Sequence, residues 1–180
     1  MSDHATAAYL DLLGRRYSCR KFTDEQLTDE ELAAILEAAR LSPSARNNQP
    51  TRLCVVQDPA GLSKVDECSD CRFGASTVIV VAYDHDVSSH PTAPNGPETC
   101  DFGDIDSSIA LTNMDNAVAS LGLGACCVGR FDHDRVRELF GVPESYRLVC
   151  LLMVGHPDMG PAPRHFERRT LDELVSRESF

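Results

Sequence analysis

The segment that most limits the fold runs from Asp104 to Leu121. Its apolar residues, Ile105, Ile109, Leu111, Met114, Val118, Ala119 and Leu121, scatter around nearly the whole circumference of a helix that turns about 100° per residue. A helix apolar all round is buried all round. In a chain of 180 residues, that needs a helix threaded through the middle of a monomer or a second chain packed on it. We expect the second: an obligate homodimer with this helix in the interface.

The remaining elements are interspersed. A helix is expected over about Thr6–Arg15. Thr28-Asp29-Glu30-Glu31 is a capping-box pattern. It opens a helix with Leu32, Ile35, Leu36 and Ala39 on one buried face, and Pro43 stops it. Arg52–Gln57 reads as a strand and Pro59–Glu67 as a short helix. Ser76–Tyr83 is a strand apolar on both faces. Ala125–Arg130 is a strand, Asp132–Phe140 a short helix closed by Gly141 and Pro143, and Leu148–Gly155 a buried strand. Thr170–Glu173 caps a final helix. Such an order means α/β or α+β with a covered sheet.

Residues 1–180 suit one domain, large enough to bury a core without disulfide staples. The longest apolar runs, Val78–Ala82 and Leu148–Val154, are far too short to cross a membrane. Met-Ser-Asp-His-Ala-Thr opens the chain without the basic and apolar stretches of a signal peptide. We therefore expect a cytoplasmic protein whose eight cysteines are reduced thiols. A net charge of −11 argues against nucleic-acid or acidic-membrane partners.

Against that charge, Arg15, Arg16, Arg20 and Lys21 crowd into seven residues without an acid. In an extended segment Arg16, Ser18 and Arg20 point to one side. Guanidinium forks and a hydroxyl make a phosphate cradle. A cationic C-terminus to the first helix, favoured by its dipole, explains the same residues. A second segment, Ser42-Pro43-Ser44-Ala45-Arg46-Asn47-Asn48-Gln49-Pro50, joins a helix to a strand. Its amides and hydroxyls suit the edge of a heteroaromatic ring, or simply a polar turn.

Together these segments resemble the FMN-dependent nitroreductase family in its short form. Arg16-Tyr17-Ser18-Cys19-Arg20-Lys21-Phe22 is similar to the family's opening Arg-x-Ser-x-(Arg/Lys)-x-Phe, and Ser42–Pro50 to its Ala-Pro-Ser-x-x-Asn-x-Gln-Pro. Ala119-Ser120-Leu121-Gly122-Leu123-Gly124, followed by Val128-Gly129, resembles the Leu-Gly-Leu-Gly turn and flavin-contacting strand end. Arg164–Val175 resembles the basic C-terminal segment.

The resemblance implies an α+β fold with a mixed, mainly antiparallel sheet flanked by helices. It implies FMN as cofactor, with Arg16, Tyr17, Ser18 and Arg20 around the phosphate and ribityl chain. Pro43, Ser44, Asn47 and Gln49 would line the isoalloxazine and ribityl, some reaching the flavin of a partner subunit. The backbone of Val128 and Gly129 would approach flavin N5. Arg168 matches the C-terminal phosphate ligand, with Arg164 or Arg169 as substitutes because Phe166 stands where many members have lysine. Thr51 and Cys127 stand where many members carry Trp, and the chain has no Trp at all.

The implied reaction is ping-pong. NAD(P)H reduces FMN and leaves, then a nitro, quinone or related acceptor takes the electrons, so no side-chain nucleophile is demanded. The alternatives are a specialised flavin reaction such as reductive dehalogenation, or a non-catalytic flavin- or metal-binding protein. The stretch from Asp84 to Gly103, with three prolines and no apolar periodicity, is a candidate for shaping substrate choice.

Other signals carry less. Gly122-Leu123-Gly124 follows a helix and precedes a strand, the reverse of a dinucleotide-binding turn. Cys68-Ser69-Asp70-Cys71 is half a zinc site that His85, His90 and Cys100 could complete, or a redox pair, but structural thiols are favoured. No metal ligand is assigned.

Overall fold

Two apolar runs make the centre of the molecule. In the computed structural model, which describes residues 2–93, 96 and 100–180, β2 (Thr77–Asp84) and β4 (Tyr146–Gly155) pair antiparallel from Val78 opposite Met153 to Val81 opposite Cys150. The edge strands are β1 (Thr51–Val56) beside β2 and β3 (Gly124–Val128) beside β4, giving the order β1-β2-β4-β3. All three pairings are antiparallel. The parallel element of the expected mixed sheet is a single bridge, Ser18 with Ala125.

Alternate residues of each strand face opposite layers. Val78, Val80, Leu151 and Met153 pack with Val65 and Val136, which belong to α3 (Pro59–Cys68) and α5 (His133–Phe140). Ile79, Val81, Leu152 and Val154 pack with Ile35, Met114 and Val118, from α2 (Asp29–Arg40) and α4 (Phe102–Ser120). The expected capping box of α2 forms, with Thr28 accepting from the Glu31 N–H and Glu31 accepting from the Thr28 N–H.

Within this chain α4 is buried on one side only, not all round as expected. Ala110, Met114 and Val118 turn inward with the polar Asp106, Ser107 and Asn116. Ile105 is 44% exposed and, with Ile109, lines a shallow open hollow. The inward polar groups are tied by tertiary hydrogen bonds that helical periodicity cannot show. Asp106 accepts the Ala45 N–H at 3.0 Å, and the Ser107 hydroxyl lies 3.1 Å from that of Thr51.

Element ends also move. The first helix, α1 (Ser2–Arg15), starts four residues before the expected Thr6. Gly129 and Arg130 lie past the end of β3. There the chain is drawn toward the end of α3: the Arg130 carbonyl accepts the Ser69 hydroxyl at 2.8 Å, and the Asp132 N–H reaches the Cys68 carbonyl at 2.9 Å. The final capping box forms on a short helix, α6 (Leu171–Leu174). Phe166, Leu171 and Leu174 around it are more than 70% exposed. Within the expected loop 84–103, positions 94, 95 and 97–99 lie outside the described residues. Among the described residues, no helix is long and apolar enough to cross a membrane.

Candidate functional site

The cationic segment leaves α1 and runs extended along the start of β3. Its N–H at Cys19 donates to the Ala125 carbonyl at 2.8 Å, and the Cys19 side chain is fully buried. Gly124 makes this approach possible, since a Cβ there would lie 2.8 Å from the Cys19 Cβ. With Cys19 turned inward, Arg16, Ser18 and Arg20 turn outward. They line one cavity with Tyr17, Ala162, Arg164, His165 and Arg168. The C-terminal segment is thus folded back over the cationic one, fastened by Tyr17 Oη donating to the Met159 carbonyl at 2.6 Å and by His165 Nε2 at 2.9 Å from the Gly14 carbonyl.

The four cations of the segment have different fates. Arg15 pairs with Asp11 at 2.8 Å and Lys21 with Asp158 at 2.5 Å. Arg16 Nη1 lies 3.3 Å from Asp115 Oδ2 on α4. Burial raises the Asp115 carboxyl, and the Arg16 guanidinium draws it partly back. Among the described residues Arg20 makes no ion pair, and no side chain lining the cavity is acidic. Arg168 lines the cavity while donating to the His165 and Glu167 carbonyls. Arg164 lines it too, whereas Arg169 does not. Burial raises the Tyr17 hydroxyl, with the Cys19 thiol adding to the shift.

The 42–50 loop builds a second cavity at the other end of α4. Pro43, Ser44 and Gln49 line it with Arg40, Arg52 and Asp106. Arg46, Asn47 and Gln49 all hold positive φ, at 55°, 58° and 52°. Each left-handed non-glycine residue costs about 1 kcal/mol, and such strain gathers at ligand sites. Side-chain hydrogen bonds hold the loop in place. Ser44 Oγ accepts the Gln49 N–H at 2.9 Å, Asp106 accepts the Ala45 N–H, and Asn48 Nδ2 donates to the Val87 carbonyl at 3.0 Å. Asn47 is exposed and, like Val128 and Gly129, lines neither cavity.

One chain therefore does not bring the expected site residues into one cavity. Asp106 lines the loop cavity, while Asp115 holds Arg16 of the arginine cavity, and the two acids are nine positions apart on α4, about 14 Å at 1.5 Å per residue. Gly129 lies four residues beyond Ala125, the bridge partner of Ser18, and just past the end of β3, about 13 Å at the rise of an extended chain.

Asp106 and Asp115 were not apparent as site residues in the sequence, because their partners come from segments 61 and 99 residues away. Cys127 was also missed as a reactive group. It is exposed, on the same face of β3 as Ala125 and diagonal to Cys150 across the β3–β4 pairing. The two neighbouring thiols influence each other, Cys127 being lowered from the ordinary thiol value and Cys150 raised. All eight cysteines are free, and Cys71 contacts Asp70 and Arg130 rather than a metal set.

The sequence model of the Nitroreductase family matches residues 13–73 and 63–156. The chain belongs to the nitroreductase family. A relative in Archaeoglobus fulgidus, named provisionally as an NADH dehydrogenase/NAD(P)H nitroreductase, is 34% identical over 82% of this nitroreductase-family chain and 84% of its own. A nitroreductase family protein from Clostridium difficile has a crystal structure that superposes with a TM-score of 0.85 at 32% identity, covering 95% of this chain and 98% of that one. A protein of Desulfovibrio desulfuricans, provisionally a nitroreductase and solved in complex with FMN, superposes at 0.79 with 27% identity, covering 96% and 97%.

Proposed function

We propose that residues 1–180 form one FMN-binding domain that carries electrons from NAD(P)H to nitro, quinone or related acceptors by a ping-pong cycle. The observation that carries this reading is the acid-free cavity where Arg16, Ser18 and Arg20 meet Arg164 and Arg168. Its donors fit the phosphate of FMN in charge and in hydrogen-bonding type. The family's names and the FMN-bound relative supply the cofactor and the nucleotide. The protein is an NAD(P)H-dependent oxidoreductase of the nitroreductase type.

Bound FMN supplies the redox chemistry, accepting a hydride and passing on electrons. The chain's residues hold and orient it. Arg20, which makes no ion pair among the described residues, would bind the phosphate. Arg16 is steered by Asp115, and Ser18 adds a hydroxyl beside it. Val128, the last residue of β3, and Gly129 just after it would offer backbone groups to the ring. The strained loop at Pro43, Ser44, Asn47 and Gln49 supplies amide and hydroxyl groups to the ring edge.

The working unit in this reading is a homodimer. Two features support it: the open apolar hollow at Ile105 and Ile109, and the exposed apolar residues of the C-terminal segment. A second chain on α4 also offers the 42–50 loop of one subunit to the arginine cavity of the other. Eight free thiols suit a reducing compartment, the cytoplasm.

The test is anaerobic. Purified yellow protein is titrated with NADH and with NADPH, then reoxidised with nitroaromatic and quinone acceptors. Bleaching followed by recovery supports the reading. Protein that binds no FMN, or flavin that neither nucleotide bleaches, sinks it.

A further inference from the structure

The loop between β2 and α4 brings together three groups that the sequence holds apart. One ligand atom from each of His85, His90 and Asp101 lies within 4.8 Å of the other two. Asp101 Oδ2 is 2.9 Å from His85 Nδ1, and Asp101 Oδ1 is 3.9 Å from His90 Nδ1. The two imidazole rings meet edge-on with centroids 4.5 Å apart. Donors bound to one zinc ion at about 2.1 Å, at angles between octahedral and tetrahedral, sit roughly 3.0–3.4 Å from each other. The three donor atoms, within 4.8 Å of one another, must draw together by up to about 1.5 Å to reach that spacing.

The carboxylate is fixed in advance. Asp101 Oδ1 accepts the Ser88 hydroxyl at 2.5 Å and the Gly103 N–H at 2.8 Å, while Oδ2 accepts the Tyr83 hydroxyl at 2.9 Å. The Gly103 N–H caps α4, the two hydroxyls come from outside the helix, and His85 Nδ1 adds a fourth hydrogen bond at Oδ2. Ring orientation is held too. His90 Nε2 donates to the His85 carbonyl at 2.9 Å, and Nδ1 is the ring nitrogen that lies toward Asp101. Two imidazoles and one carboxylate are the donor set of three-ligand zinc sites that keep an open position for water.

We propose that His85, His90 and Asp101 bind a divalent transition metal, zinc first, which clamps the 85–90 turn to the start of α4. None of the three residues lines the arginine cavity or the cavity of the 42–50 loop. Through Asn48 Nδ2 on the Val87 carbonyl, the clamp also steadies the strained 42–50 loop.

Zinc chloride is titrated calorimetrically into chelator-treated, flavin-loaded protein. The comparison is the His85→Ala/His90→Ala double variant, which keeps the same eight thiols. Wild type should take up one more zinc equivalent than the variant, and zinc should raise only its melting temperature. Losing a ligand should cost no less than the ten- to hundred-fold typical of outer-shell partners. Equal stoichiometry and affinity in the two proteins would overturn the proposal. The flavin spectrum reports folding of the variant. If the variant fails to fold, cobalt substitution of wild type decides: a visible spectrum of nitrogen and oxygen ligation supports the site, and thiolate charge-transfer bands alone reject it.

Discussion

Arg16 Nη1 lies 3.3 Å from Asp115 Oδ2, joining the cationic segment to the second half of α4. The pair makes two arginines of one motif unequal. Arg16 is half-buried and partly neutralised, while Arg20 is exposed and has no acid partner among the described residues.

Arg20→Ala should therefore weaken FMN binding more than Arg16→Ala does. Losing a charged hydrogen bond costs roughly 1.5–3 kcal/mol, about ten- to a hundred-fold in affinity. Arg16→Ala loses less, because its guanidinium already serves Asp115. Quenching of FMN fluorescence on titration measures both. Unchanged affinity in Arg20→Ala removes Arg20 from the site.

Cys127 should be the fast-reacting thiol. Its thiol is lowered from the ordinary value by its neighbour Cys150, which is raised in turn. Alkylation by iodoacetamide should rise with a midpoint below the ordinary thiol value at Cys127, and the buried Cys150 should resist. Cys150→Ala should move the midpoint up toward the ordinary thiol value, about 8.5. A pH–rate profile read by mass spectrometry checks both points.

Asp101 ties acid stability to the β2–α4 loop. Burial alone would raise its carboxyl, but hydrogen bonds from Ser88, the Gly103 N–H, His85 and Tyr83 bring it well below the usual range. A carboxyl depressed in the folded state stabilises above its unfolded value, about 4, and loses that contribution as pH falls below it. In metal-free buffer Asp101→Asn should cost about 1–3 kcal/mol at neutral pH. The gap to wild type should shrink as the pH drops below 4. Urea melts across that range test the sign.

Ile105→Glu places a charge in the open hollow on α4. Sedimentation should shift from dimer to monomer, and bound FMN should fall with it if the partner completes the cavity. A dimer that persists with its full flavin content places the interface elsewhere.

Much of the fold was legible in the sequence because it is set by local pattern. The runs at Val78–Ala82 and Leu148–Val154 announce central strands. Thr28 with Glu31 announces the start of α2, since both halves of a capping box lie within four residues. The phosphate segment was legible for the same reason: alternation alone puts Arg16, Ser18 and Arg20 on one side once Cys19 is drawn into the core.

What only the tertiary structure decided are relations between segments far apart in the chain. The apolar circumference of α4 predicted full burial, yet packing on the sheet and α2 covers one side and leaves Ile105 open. Periodicity counts which side chains avoid water; it cannot say which chain supplies the cover. Asp115 became a partner of Arg16, Cys127 of Cys150, and His85 and His90 of Asp101 only when the sheet and its loops were in place. Electrostatics and coordination act over a few ångströms of space, whatever the distance along the chain.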